Sequence, residues 1–140
     1  MNLSLSKKDT AGIEQIISRE LLDAGAQQVI VVDLGGNMVL ESGSLETDDI
    51  RALAVLAAAN FATTVQIARL LGEDDFTLMF HKGDKRNIHF NRLDTEHLIV
   101  TFFDDGISLG LIRLKSHSVV EQVMNILGGV EDGDLQLSHT

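Results

Sequence analysis

Val29-Ile30-Val31-Val32, inside residues 28–34, is the stretch on which the fold turns. Four branched apolar residues in a row cannot alternate between core and water, so the strand they form is apolar on both faces and belongs at the centre of a covered sheet. Leu98-Ile99-Val100-Thr101-Phe102-Phe103, inside residues 97–103, is nearly as continuous and earns the same place.

Working outward, Gly35-Gly36-Asn37 offers the positive φ angles of a tight turn before Met38-Val39-Leu40, so the second strand pairs antiparallel with the first. Residues 76–82 and 87–93 read as a further hairpin around Gly83-Asp84-Lys85. With the first and fifth strands central and each hairpin neighbour outboard, the predicted spatial order is 2-1-5-4-3, and the third strand is an edge. The hairpin loop decides where His81 and His89 point: two or four loop residues put them on opposite faces, three put them on one. The apolar pattern favours three, because that aligns Phe76, Leu78, Phe80, Ile88 and Phe90, and the histidines then form a half-buried structural pair.

Three helices flank these strands. Ile13, Ile16, Ile17, Leu21 and Leu22 recur at helical spacing after Ser6 and stop at Gly25. A long helix follows Thr47, its predicted N-cap, with Asp48 and Asp49 in the first turn and Gly72 closing it after Leu71. At about 100° per residue, one stripe of this helix holds Ile50, Leu53, Ala54, Ala57, Phe61, Val65, Ala68 and Leu71. The opposite side holds Val55, Leu56, Ala59, Ala62, Thr63, Gln66 and Leu70, with Arg51 and Arg69 the helix's charges, and is too apolar for water. A last helix begins near Gly110 or Ser116, carries Val119, Val120, Val123, Met124 and Leu127, and stops at Gly128-Gly129. The expected division is one domain over residues 1–129 and a short, acidic, disordered tail over 130–140.

Composition narrows the functions. The 140 residues hold 11 Lys+Arg against 21 Asp+Glu, a net charge of −10, which opposes the phosphate contacts that give nucleic-acid affinity. The absence of cysteine removes disulfides, thiolate nucleophiles and sulfur-ligated metals, and fits a cytoplasmic location. No run reaches the ~20 consecutive apolar residues of a membrane span. No phosphate-binding glycine loop or nucleophile elbow occurs, so no cofactor and no catalytic residue is expected. Asp104-Asp105-Gly106 starts like a calcium loop, but Ser108 and Gly110 follow and no Glu closes it, and two histidines without a third ligand make no metal site. The apolar outer face of the long helix and the adjacent edge strand invite a second chain: two copies joined edge to edge extend the sheet and set the long helices side by side.

Four segments stand in order along the chain: Val32-Asp33-Leu34-Gly35-Gly36-Asn37, Ala57-Ala58-Ala59-Asn60-Phe61-Ala62-Thr63, Phe80-His81-Lys82-Gly83 with Ile88-His89, and Ser108-Leu109-Gly110-Leu111-Ile112-Arg113-Leu114. Together they resemble the Roadblock/LC7 family and within it the bacterial MglB-type regulators of the Ras-like GTPase MglA. The resemblance implies an α/β, profilin-like fold: a five-stranded antiparallel sheet, one long helix on one face and two helices on the other. It implies a non-catalytic homodimer that binds a small GTPase, two protomers per GTPase, and activates hydrolysis by aligning the GTPase's own groups, in the control of polarity or motility. Helix geometry transfers the partner-binding platform to Val55, Ala59, Ala62, Thr63, Gln66 and Leu70, and the dimer seam falls on Phe76, Thr77, Leu78, Met79, Phe80 and His81. Asp105-Gly106-Ile107 departs from the usual polar approach to Ser-Leu-Gly, and the short tail after Leu127 favours activation over nucleotide exchange. The competing expectations are a Roadblock scaffold that tethers a GTPase or motor complex without changing hydrolysis, a small-molecule sensor of the PAS or GAF kind, and an enzyme using His81 or His89.

Overall fold

The computed structural model describes residues 7–73 and 79–139, the side chains of 79 and 127–139 excepted. Within them, β1 (Gln28–Asp33) and β5 (His97–Phe103) lie side by side in one antiparallel sheet with β2 (Met38–Gly43), β3 (Met79–Lys82) and β4 (Asn87–Arg92). The order is β2-β1-β5-β4-β3, as the sequence predicts. Val29 to Val32 are 0–2 % exposed and every residue of β5 is buried, so both central strands are covered on both faces.

Because side chains alternate along a strand, each central strand serves two cores. Val29 and Val31 of β1, with Ile99 and Phe103 of β5, face α1 (Lys7–Ile17), its wider π-type continuation over Ser18–Leu22, and α3 (Leu109–His139). Ile13, Ile17, Leu21, Ile112, Val119 and Val123 fill that side. Ile30, Val32, Leu98, Val100 and Phe102 face α2 (Ile50–Leu70), which meets them with Ala54, Ala57 and Phe61. Each large apolar side chain buried this way contributes about 1.5–3 kcal/mol.

The turn between β1 and β2 is built by Asp33. Its Oδ1 accepts the N–H groups of Gly35 and Asn37, each at 2.9 Å. Only Gly36 there has a positive φ, +88°, and a Cβ on it would come within 3.2 Å of the Val55 backbone, so the turn is also the place where the sheet approaches α2. The β4–β5 turn is held by a buried pair, His97 Nδ1 to Asp94 Oδ1 at 3.0 Å.

Several boundaries differ from expectation. Thr47 does not cap α2: its Oγ1 accepts the N–H of Asp49 at 3.1 Å, and the helix starts after Asp49. Leu71, placed in the core stripe by periodicity, is 67 % exposed because the helix ends before it, while Ala58 is buried. Ser108 caps α3 by accepting the Leu111 N–H at 3.1 Å, and α3 continues past Gly128-Gly129 to His139. Glycine costs about 1 kcal/mol in a helix, which weakens a helix without forbidding it.

The larger correction concerns the hairpin. Phe80 pairs with His89, His81 with Ile88 and Lys82 with Asn87, so the loop has four residues, 83–86, and the two histidines lie on opposite faces. The apolar pattern misleads here because both faces of the sheet are covered: Phe80 stacks on Phe103 on one side while Ile88 and Phe90 pack toward α2 on the other. An alternation that aligns Phe80 with Ile88 is therefore not required. Phe76, Thr77 and Leu78, the start of the predicted third strand, lie outside the described residues.

Candidate functional site

Among the described residues, the outer side of α2 is an apolar surface without cover. Ala54, Ala57, Ala58, Phe61 and Ala68 form the buried stripe, so the residues rotated away from the sheet face outward. Val55, Leu56, Ile67 and Leu70 are 55, 64, 47 and 87 % exposed. Ala59, Ala62, Thr63 and Gln66 are exposed beside them, so all six residues assigned to a platform by sequence stand on this one surface. Ile67 joins them; its spacing from Thr63 and Leu70 carries the signal that could have found it.

The polar residues of α2 do little to wet this face. Thr63 Oγ1 donates to the Ala59 carbonyl and Thr64 Oγ1 to the Asn60 carbonyl, both at 3.0 Å, which engages the hydroxyls with their own helix. By length and mean hydropathy α2 is long and apolar enough to cross a membrane, a match that a reading of consecutive apolar residues does not give, and only 22 % of its apolar 18-residue stretch is buried. Its buried stripe against the sheet marks it instead as a helix with one face in the core and one face still apolar. Exposed apolar continuity of this kind marks an interaction surface.

The edge strand borders the same surface. β3 pairs with β4 on one side, and among the described residues no strand pairs with its other side. His81 of β3 points to the α2 side, with its ring edge-on to Phe90 at 5.2 Å and its Nε2 3.5 Å from Asn60 Nδ2. Leu53, Leu56, Asn60, His81 and Phe90 line a cavity of about 210 Å³ between strand and helix. Of the predicted seam, Met79, Phe80 and His81 therefore belong to the edge strand, with His81 linking it to α2.

Other candidate sites resolve into internal chemistry. Asp104 Oδ1 accepts the Gly106 N–H at 2.8 Å, and Asp105 Oδ1 meets Lys82 Nζ at 2.8 Å and Asn87 Nδ2 at 3.0 Å. The hydrogen bond from Lys82, helped by that from Asn87, holds Asp105 below the usual carboxylate range. Among the described residues no group of three His, Cys, Asp or Glu could hold a metal. His89, on the face opposite α2, is 3 % exposed, and burial followed by the charge of Arg113 lowers its pKa to about 4.

Residues 12–103 match the Roadblock/LC7 domain. The chain belongs to the Roadblock/LC7 family. It is similar to Myxococcus xanthus MglB, with 30 % identity, 84 % of this chain and 96 % of that one covered, and a TM-score of 0.78. The gliding protein MglB from Thermus thermophilus has the same fold at 24 % identity, with 90 % of this chain and 97 % of that one covered and a TM-score of 0.80. Acanthamoeba castellanii profilin IA shares the architecture more distantly, at 15 % identity over 80 % of this chain and 96 % of that one, with a TM-score of 0.58. This Roadblock/LC7 chain thus carries the profilin-like sheet with its long helix, and the apolar side of that helix is outermost.

Proposed function

We propose that this Roadblock/LC7 protein is a cytoplasmic, homodimeric, non-catalytic regulator that binds a Ras-like small GTPase of the MglA type and activates its hydrolysis. The observation that supports this is the exposed apolar side of α2, continuous through His81 with β3, whose outer edge has no partner strand among the described residues. Pairing of two β3 edges brings two such helices together and makes a platform with Val55, Ala59, Ala62, Thr63, Gln66 and Leu70 on it, one GTPase per two protomers. The similarity to MglB supports the choice of partner and a role in polarity or motility.

A regulator of this kind does no covalent chemistry. It accelerates hydrolysis by binding more tightly to the GTPase conformation in which the GTPase's own groups are aligned, and the shift it achieves is limited by that difference in affinity. Light scattering of the protein with an MglA-type GTPase, loaded with GDP or with a non-hydrolysable GTP analogue, tests binding. A dimer that takes up one GTPase only in the GTP-like state is the expected result. Single-turnover hydrolysis with and without the protein then separates an activator, which raises the rate, from a scaffold, which leaves it unchanged. Failure of the dimer to bind in either state refutes both.

A further inference from the structure

Two parts of the sequence that carry the family resemblance take no part in the platform or the edge: His89 itself, and the segment running from Ser108 to Leu114. They meet on the opposite face of the sheet. There, His89, Asn91, Gly110, Arg113, Leu114 and His117 line a cleft of about 380 Å³. We propose that this cleft binds a carboxylate, carried by an acidic side chain of a partner peptide whose apolar neighbour covers Leu114.

Three independent features argue for a ligand. His89 is 3 % exposed, lines the cleft, and its Nδ1 is buried with no hydrogen-bond partner among the described residues. A buried imidazole nitrogen left unpaired is costly, and a ligand in the cleft is a source of the missing partner. Arg113 is exposed and makes no hydrogen bond or ion pair among the described residues, so its planar fork of donors is free. Gly110 lies in the first turn of α3, the positive end of the helix dipole, and a Cβ added there would meet nothing within 4 Å, so a ligand can approach the backbone.

Charge and shape choose the ligand. His89 is neutral near pH 7, and His117 Nε2 faces Glu121 Oε1 at 3.0 Å, so Arg113 is the cleft's unneutralised cation. One guanidinium and a helix terminus match a singly charged carboxylate, which Arg holds in a bidentate way, better than a doubly charged phosphate. Leu114 is 65 % exposed in the wall of the cleft and Leu111, one turn earlier, is 37 % exposed. That apolar rim favours an acidic residue within a peptide over a free small acid. Since α2 and α3 cover opposite faces of the sheet, this partner and one on α2 can be held at once.

The test is an NMR titration of the full chain at constant ionic strength, following the His89 ring and the α3 amides. The probes are an acetyl-Leu-Asp-Leu amide peptide, its Asn counterpart, sodium acetate and inorganic phosphate. The expected result is saturable binding of the Asp peptide with Kd on the order of 1 mM, weakened about tenfold by the Asp-to-Asn change in the peptide. Arg113→Ala, at an exposed side chain, and Gly110→Leu, which fills the open space, each weaken it by at least about tenfold while far-UV circular dichroism is retained. Equal binding of the Asn peptide overturns the proposal, as does acetate binding as tightly as the peptide, or phosphate binding more tightly. A drop in the protein's own mass on Arg113→Ala also overturns it, since the face would then belong to a second copy.

Discussion

The two faces of the sheet are covered by different means. On one, α1 and α3 press large side chains such as Ile13, Leu21, Ile112 and Val123 onto Val29, Ile99 and Phe103, and the layer is closed by two helices. On the other, α2 lies alone and meets the sheet mainly through alanines, with Phe61 as its one large buried residue. On the first face the core is filled by the chain's own helices, and the cleft at His89 and Arg113 stays open beside it. The second brings a helix close to the sheet and leaves that helix's far side apolar. Stability and assembly are thus separable by face.

Opposite failures on the two faces give the largest expected effects. Phe103 is 1 % exposed and stacks on Phe80 at 6.1 Å, so Phe103→Ala opens a cavity on the two-helix side and should cost about 3–5 kcal/mol by urea unfolding. Ala54, at 0 % exposure on the sheet-facing side of α2, tolerates no added bulk: Ala54→Leu should cost about 1–3 kcal/mol through overpacking. If Ala54→Leu is silent, α2 is not held close by its alanines and the contrast between the faces fails.

Acid should strike the two-helix side first. Burial, with Arg113 adding to it, holds His89 at about 4, below its ordinary 6.5, so between those values the unfolded chain binds a proton that the folded chain excludes. Stability is therefore full above pH 6.5 and falls as pH drops toward 4, by up to about 3 kcal/mol from this group. His89→Phe should flatten that window in pH-dependent urea unfolding; an unchanged slope would assign the loss elsewhere. Asp33 acts lower in the scale. Burial raises its pKa, the hydrogen bonds from Asn37 and Gly35 outweigh that, and the net lowering makes its contribution one that disappears only as carboxylates protonate.

The meeting point of the faces gives a smaller effect. Gly36 combines a positive φ with close approach to Val55. Gly36→Val should cost about 1–3 kcal/mol from backbone strain. It should also displace Val55, so its effect on association should exceed that of Gly35→Ala, measured by sedimentation.

How much of this was legible follows from what each pattern depends on. The order of strands could be read because Val29 to Val32 and Leu98 to Phe103 are continuous, a property that burial on two faces demands and little else produces. The outer side of α2 could be read because one helix repeats every few residues and Arg51 and Arg69 are its charges. The hairpin register could not, because a sheet covered on both faces gives apolar residues no single side to prefer; Phe80 and Ile88 satisfy different cores. The cleft of His89 and Arg113 was hidden for another reason. Its residues come from β4 and α3, and nothing local in either segment says that they meet.

The smallest expected effect on the fold tests the contrast most sharply. Ala59 is exposed on α2 and touches neither core, so Ala59→Arg should change monomer stability by no more than about 0.5 kcal/mol. In the proposed dimer the same substitution places a charge in an apolar contact without a partner, and should dissociate it. The two effects are distinguished by concentration. Association stabilises by mass action, so the wild-type Tm should rise as protein concentration is raised, and that of Ala59→Arg should not. Leu70→Glu, at a position 87 % exposed, should behave alike if the platform extends to the end of α2. A concentration-independent wild-type Tm together with a monomeric mass would show that α2 waits for a different partner, and that the apolar face, although uncovered, is not where two copies meet.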